Sequence, residues 1–395
     1  MTMETPTKTS TSTDATIPQV RFSDLTTYLP LRPGEKRVVV LSDVHLHHSR
    51  VKSPKILDEL DRQFPDERLA TITHIVISGD LFEKRLPFDS DDSFLITRWM
   101  GSFLRRLKRF GVALIILEGT PSHDHRQSRW FVQINQLAHY DVDVRYYDSL
   151  AIEPLFDGGP TVLYVPDEVN HDANKTWKQV MELMRLKGLE KVGFAVMHGM
   201  FTFQEPIRTV VSHNEERYHG IVEHLIIIGH HHTHAVNEKI RVPGSFERLR
   251  HNEEEHKGHY QFSFLNGAVI DELFIINDRS TVFSTLDAVG QTYVQVLDRL
   301  KALSHLPAGS YLRLKLSRRD PAYVSFQQLK DEFPHFHLTH KTIDADDHIA
   351  VTDDLIERPL TTALRPDTLP DLLRPRLQGA SDPVMAAMER IMAVA

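Results

Sequence analysis

The stretch Arg37-Val38-Val39-Val40-Leu41-Ser42-Asp43-Val44-His45 decides the fold class. An uninterrupted apolar run, mostly β-branched, suits a short strand buried on both faces of a sheet, although periodicity alone does not separate it from buried helix. The pattern recurs. His74-Ile75-Val76-Ile77 runs into Ser78-Gly79-Asp80, and Ala113-Leu114-Ile115-Ile116-Leu117 into Glu118-Gly119. Gly193-Phe194-Ala195-Val196-Met197 ends at His198, and Leu225-Ile226-Ile227-Ile228 at Gly229-His230. Helical patterns lie between, as at Phe94 to Phe110 and Asn174 to Lys187. Strands and helices in alternation imply a layered α/β domain.

The rest of the chain is organised around that region, which spans 31–285. Residues 1–30 read as a disordered N-terminal extension, because Met1 to Gln19 is rich in Thr and Ser and lacks the apolar segment of a signal peptide. After 285, Thr292 to Leu303 and Ser325 to Phe333 look helical, while Ser310 to Ser317 and His335 to Ile343 look like strands. These make a small α+β module over 286–343. Residues 344–395 read as a Pro-punctuated linker and a closing helix, with Ser381 as cap and Pro383 in the first turn. Val384, Met385, Met388, Ile391 and Met392 share one face of that helix.

Composition narrows the function classes. At 395 residues there is room for one large domain and a smaller companion. No run approaches the ~20 apolar residues of a membrane helix, so no membrane span is expected. Cys is absent, which excludes disulfides and thiolate metal sites and fits a reducing, cytoplasmic setting. A net charge of −8 argues against nucleic-acid binding through a broadly basic surface; such affinity must come from local patches, metal ions or a partner.

The chemistry lies in the polar residues at the strand ends. Asp43 and His45, Asp80, His123-Asp124, His198, and His230 with His232 all fall at or just beyond a predicted strand. In open α/β sheets the crevice at the carboxyl ends of strands gathers ligands, so residues far apart in sequence converge there. Taken singly, each has an ordinary reading. Asp after a strand is often a turn former, His198 suits a hydrogen-bonded core position, and His230-His231-His232-Thr233-His234 suits a surface tract. As an ordered set they form a first shell for two borderline divalent cations, with Asp80 able to bridge both ions at the ~3.5–4 Å of two-metal centres.

The order Asp-x-His, Gly-Asp, a Gly-to-His-Asp loop, His, Gly-His-x-His resembles the calcineurin-like metallophosphoesterases, over roughly Val38 to His232. The resemblance implies a layered β-sandwich flanked by helices, with two divalent metal ions, Mn²⁺ first and Mg²⁺ or Fe²⁺ as alternatives. It places Asp43, His45, Asp80 and His232 on one metal. The second takes Asp80, His198, His230 and the residue before His123, which is Ser122. His123, held by Asp124, matches the catalytic His that assists the leaving oxygen. The family usually reads Gly-Asn-His-Asp; here Gly119-Thr120-Pro121-Ser122-His123-Asp124 is two residues longer, as in phage-encoded relatives, and a Ser hydroxyl is a weaker ligand than an amide oxygen.

The segment Val242-Pro243-Gly244-Ser245-Phe246-Glu247-Arg248, followed by Asn252-Glu253-Glu254-Glu255 and Lys257-Gly258-His259-Tyr260, is similar to the SbcD/Mre nuclease branch, whose small capping domain matches 286–343. That likeness implies a Mn²⁺-dependent DNA exonuclease or endonuclease of repair and recombination. It also implies a homodimer that binds an SMC-like ATPase of the SbcC/Rad type through its C-terminal helix. Arg126, Arg129, Arg248 and Arg250 are the candidate DNA contacts, whereas Arg105-Arg106-Leu107-Lys108-Arg109 reads as a solvated helix face. The competing readings are a phosphatase or phosphodiesterase for a small molecule or phosphoprotein, and an inactive scaffold of the same fold.

Overall fold

The computed structural model describes residues 17–167, 172–204 and 211–343. The expected linker and closing helix at 344–395 lie outside the described residues. Strands follow in chain order as β1 (Gln19–Arg21), β2 (Lys36–Leu41), β3 (His74–Ser78), β4 (Ala113–Leu117), β5 (Val144–Tyr147), β6 (Ala151–Pro154) and β7 (Thr161–Val165). Next come β8 (Val192–His198), β9 (Val222–Gly229), β10 (Ala235–Asn237), β11 (Ile240–Val242), β12 (Gly258–Leu265) and β13 (Ala268–Ile276). The last three are β14 (Phe283–Asp287), β15 (Tyr311–Leu316) and β16 (His337–Thr342).

One sheet has the order β1-β13-β12-β2-β3-β4-β5 and another the order β10-β11-β9-β8-β7-β6. In the first, β2 to β5 run parallel, with Leu41 opposite Ile77 and Ser78 opposite Leu117. In the second, β7, β8 and β9 run parallel, with His198 opposite Gly229. The antiparallel pairs of β12 and of β6 make both sheets mixed. The α/β expectation holds, and each of the five apolar runs is a strand.

Burial on both faces explains why those runs are continuously apolar. Every second residue of a strand shares a face. Val38, Val40, Val76, Ile115 and Leu117 of the first sheet meet Val162, Tyr164, Phe194, Val196, Leu225 and Ile227 of the second in one core. The alternate residues Leu163, Val165, Ala195, Met197, Ile226 and Ile228 pack with Val180 and Met184 of the helix Ala173–Lys187 and with Tyr218 and Ile221 of the helix Glu215–Ile221. The first sheet's outer side meets helix as well: His259 of β12 lies 5.5 Å from the ring of Phe64, which ends the helix Ser53–Gln63.

The basic run on the helix Asp91–Phe110 is a solvated, ion-paired face. Arg106 bonds Asp61 and Asp66, Arg109 bonds Asp66, and Lys108 bonds Asp141. The N-terminal expectation needs correction. β1 pairs in parallel with β13, Gln19 opposite Phe274, and Ile17 and Phe22 are buried, so ordered structure begins well before residue 31. A three-residue edge strand is held by backbone hydrogen bonds and one or two anchors, which composition does not register.

The chain divides into two compact units between Ser284 and Thr285. The second contains β15, β16, the last three residues of β14, and the helices Tyr293–Ala302 and Phe326–Glu332. Val296, Leu300, Leu312, Leu314, Leu316, Leu329 and Leu338 form its core. Thr292 caps the first of these helices reciprocally with Gln295. Strands and helices together give this unit an α+β make-up.

Candidate metal centre

Because β2, β3 and β4 run parallel, their carboxyl ends fall at one edge, and β8 and β9 end beside them. His198 Nδ1 lies 2.7 Å from Ser78 O, and the His230 amide donates to Asp43 Oδ2 at 3.0 Å, so the strand ends of the two sheets are tied together. Two glycines make this approach possible. A Cβ on Gly79 would sit 2.1 Å from His198 Nδ1, and one on Gly119 would sit 2.1 Å from Asp80 N. Asp43, His45 and Asp80 all have positive φ, at 49°, 52° and 48°. Left-handed backbone is disfavoured for such residues and gathers at functional sites.

Among the described residues three groups could hold a metal ion: Asp43 with His45 and His232, Asp80 with His198 and His230, and His45 with Glu83 and His123. Asp43, His45, Asp80 and His198 are buried. In two of the rings Nδ1 is hydrogen-bonded, and in the third, His45, it lies close to a carboxylate without a formed hydrogen bond. It faces Glu83 Oε2 at 2.7 Å in His45, Glu253 Oε1 at 2.8 Å in His232, and Ser78 O at 2.7 Å in His198. A proton held on Nδ1 leaves the Nε2 lone pair for a metal, the arrangement in which outer carboxylates orient metal-binding imidazoles. All three Nε2 atoms point inward. Those of His45 and His232 are 3.1 Å apart, each 3.9 Å from Asp43 Oδ1, and that of His198 is 3.2 Å from Asp80 Oδ1. A cation bound about 2.1 Å from each of two neighbouring ligands spans about 3.0–3.4 Å, which the His45–His232 and His198–Asp80 pairs match, while the two 3.9 Å separations from Asp43 are wider than that span. His45 Nε2 is also 3.9 Å from Asp80 Oδ2, which makes Asp80 the residue facing the first two of these groups.

Electrostatics point the same way. Burial alone would lower the His45 pKa, yet Glu83, Asp80 and Asp43 raise it to about 9. For His198 burial is again outweighed, chiefly by Asp80, and the pKa stands at about 10. Asp80 is held well below the usual carboxylate range by His198, His123 and His45 despite its burial. The carboxylates thus draw positive charge into the site, and metal uptake in place of those protons must release them. Burial and His198 lower the His230 pKa, keeping that ring neutral as a ligand must be.

Several expected roles change. Ser122 is exposed on the short helix Pro121–Asp124, and the hydroxyl inside the site belongs to Thr120. Thr120 Oγ1 lies 3.2 Å from Asp80 Oδ2, 3.4 Å from His198 Nε2 and 3.2 Å from His230 Nδ1. Pro121 starts a helical turn that carries Ser122 outward, away from the Thr120 hydroxyl. Asp124 does not hold His123. Its buried carboxylate accepts from the amides of Phe82 and Gly119, both at 2.8 Å, while His123 Nδ1 lies 3.3 Å from Asp80 Oδ2. Arg248 is not free for DNA: its guanidinium donates to Glu255 O, Ser280 Oγ and Glu254 O. Arg250 bonds Glu253 at 3.1 Å and so steadies the carboxylate behind His232. Arg126 and Arg129 are exposed beside the loop, Arg126 lying 3.8 Å from Asp148.

The sequence does not single out Thr120 or Glu83, and Glu253 enters only as part of the run Asn252-Glu253-Glu254-Glu255. Thr120 follows the glycine directly, as the Asn does in Gly-Asn-His-Asp, and that adjacency was the available signal. No family model matches this chain, and no curated protein does. Among solved structures, one chain aligns at 12% identity and a TM-score of 0.34, covering 58% of this chain and 95% of its own length.

Proposed function

We propose that this chain is a two-metal phosphodiesterase of the calcineurin-like fold that hydrolyses DNA, in the manner of the SbcD/Mre nucleases and in partnership with an SMC-like ATPase. The observation that supports it most is the set of inward Nε2 atoms on His45, His198 and His232 around two buried aspartates, with Nδ1 hydrogen-bonded in His198 and His232 and facing Glu83 in His45. Asp43, His45, His232 and Asp80 would hold one cation; Asp80, His198, His230 and Thr120 Oγ1 would hold the other. A thiolate-free set of imidazoles and carboxylates suits Mn²⁺. Such cations, when bound, neutralise phosphate oxygens and lower the pKa of water toward ~7.

The chain's own residues do the rest. Glu83, Glu253 and Ser78 O keep the ligand rings in the tautomer that exposes Nε2. Asp124 locks the turn after β4 to the turn after β3 through its two amide contacts. His123, partly exposed and with Nδ1 3.3 Å from Asp80 Oδ2, has Nε2 left to give a proton to the departing sugar oxygen. The test is cleavage of linear and single-stranded circular DNA in Mn²⁺ by wild type and His123→Ala. Wild type should cut and the variant should be slower by about 10²-fold or more. Turnover of a generic phosphomonoester with neither DNA cut would replace the nuclease reading by a phosphatase.

A further inference from the structure

We propose that the loop 84–90 is a grip for single-stranded nucleic acid, in which Phe88 stacks an unpaired base while Lys84 and Arg85 hold flanking phosphates. The proposal rests on the reading of the site as a DNA phosphodiesterase. Phe88 is wholly solvent-exposed, at 101% relative accessibility, and exposing a phenylalanine forfeits the gain of burying it. Mobility does not account for it, because the loop is braced on both sides. The Leu86 amide donates to Gln127 Oε1 at 2.7 Å, and Gln127 Nε2 donates to Lys84 O and to Asp124 O, both at 3.2 Å. One residue before the phenylalanine, Pro87 O accepts from Ser90 N at 3.2 Å and from the hydroxyls of Ser90 and Ser93. Gln127 is buried, so an interior amide is spent on holding this loop to the turn that carries His123.

Position and charge fit the same occupant. The loop begins next to Glu83, whose carboxylate reaches His45 Nδ1 at 2.7 Å, so it borders the candidate centre. Lys84 and Arg85 are exposed, and neither side chain has a hydrogen bond or ion pair among the described residues. That distinguishes them from Arg248 and Arg250, whose donors are used within the chain. In a protein of net charge −8, two unpaired cations beside an exposed ring match a strand that offers phosphates and base faces together.

The test measures binding of a single-stranded oligonucleotide containing 2-aminopurine, in Mn²⁺ and in the His123→Ala background so that the strand is not consumed. Phe88→Ala should weaken binding about tenfold and relieve the quenching of the stacked base, while Phe88→Trp restores both. Lys84→Ala with Arg85→Ala should reduce the slope of log affinity against log salt by about 1.4. Melting temperatures should not change, since all three side chains are exposed. Wild-type affinity, quenching and salt slope in these variants, while the wild-type chain cuts the strand, overturn the grip alone. A wild-type chain that neither binds nor cuts the strand overturns the nuclease reading and the grip with it.

Discussion

Glu253→Gln isolates the outer support of the centre. Glu253 is buried; Oε1 lies 2.8 Å from His232 Nδ1 and 3.1 Å from Arg250 Nε, and Oε2 accepts from the Leu249 amide at 2.9 Å. Every neighbour is a donor. An amide has one accepting oxygen, so glutamine must turn its NH₂ toward either Leu249 or His232. Facing Leu249 it leaves two donors opposed in a buried place. Facing His232 it drives the ring proton from Nδ1 to Nε2 and removes the metal-binding lone pair. Loss of such an outer carboxylate lowers metal affinity by about 10–100-fold, which is about 1.4–2.7 kcal/mol. Calorimetric titration with Mn²⁺ should show one of two binding steps weakened by that factor. Exposed Glu254→Gln serves as the control and should stay within about twofold of wild type. Unchanged Mn²⁺ affinity together with unchanged stability in Glu253→Gln would refute the tautomer argument.

Two further outcomes follow from the geometry. Thr120→Val keeps the shape but removes the hydroxyl near Asp80, His198 and His230, so it should weaken the other Mn²⁺ step, whereas Ser122→Ala should not; equal effects in the same titration would return the ligand role to Ser122. Glu247 is fully buried, and burial pushes its carboxyl up from the ordinary 4.5 to about 7 even with Lys55 nearby. Its folded pKa is raised, so its contribution to stability is complete below about pH 4.5 and is lost as pH rises through 7, about 3 kcal/mol in all. Glu247→Gln does not titrate, so urea unfolding should show the wild type losing about 3 kcal/mol relative to the variant between pH 4.5 and pH 8. A gap that is the same at both pH values contradicts this.

Much of the site was legible because apolar runs and polar strand ends are local signals. Val38 to Leu41 with Asp43, or Leu225 to Ile228 with His230, announce a buried strand and a residue at its carboxyl edge. What escaped depends on where a chain turns. Whether Thr120 or Ser122 enters the site is decided by Pro121 starting a helical turn, which residue types alone do not count out. Glu83 and Glu253 carry no local signal of their role, which arises only when the fold sets them behind His45 and His232. Arg248 looked like a phosphate contact because its three acceptors are backbone oxygens and a serine hydroxyl, with no carboxylate in the sequence to mark them. Asp124 stands next to His123 in the chain, yet its oxygens are taken by two amides.

The central claim is that Asp80 is shared by two cations. Elemental analysis after Mn²⁺ loading and desalting tests it most directly, on wild type and on Asp80→Ala. The wild type should carry two Mn²⁺ per chain, and loss of the shared carboxylate should empty both positions together. A wild type that binds one ion or none, or an Asp80→Ala chain that still retains two, would contradict it.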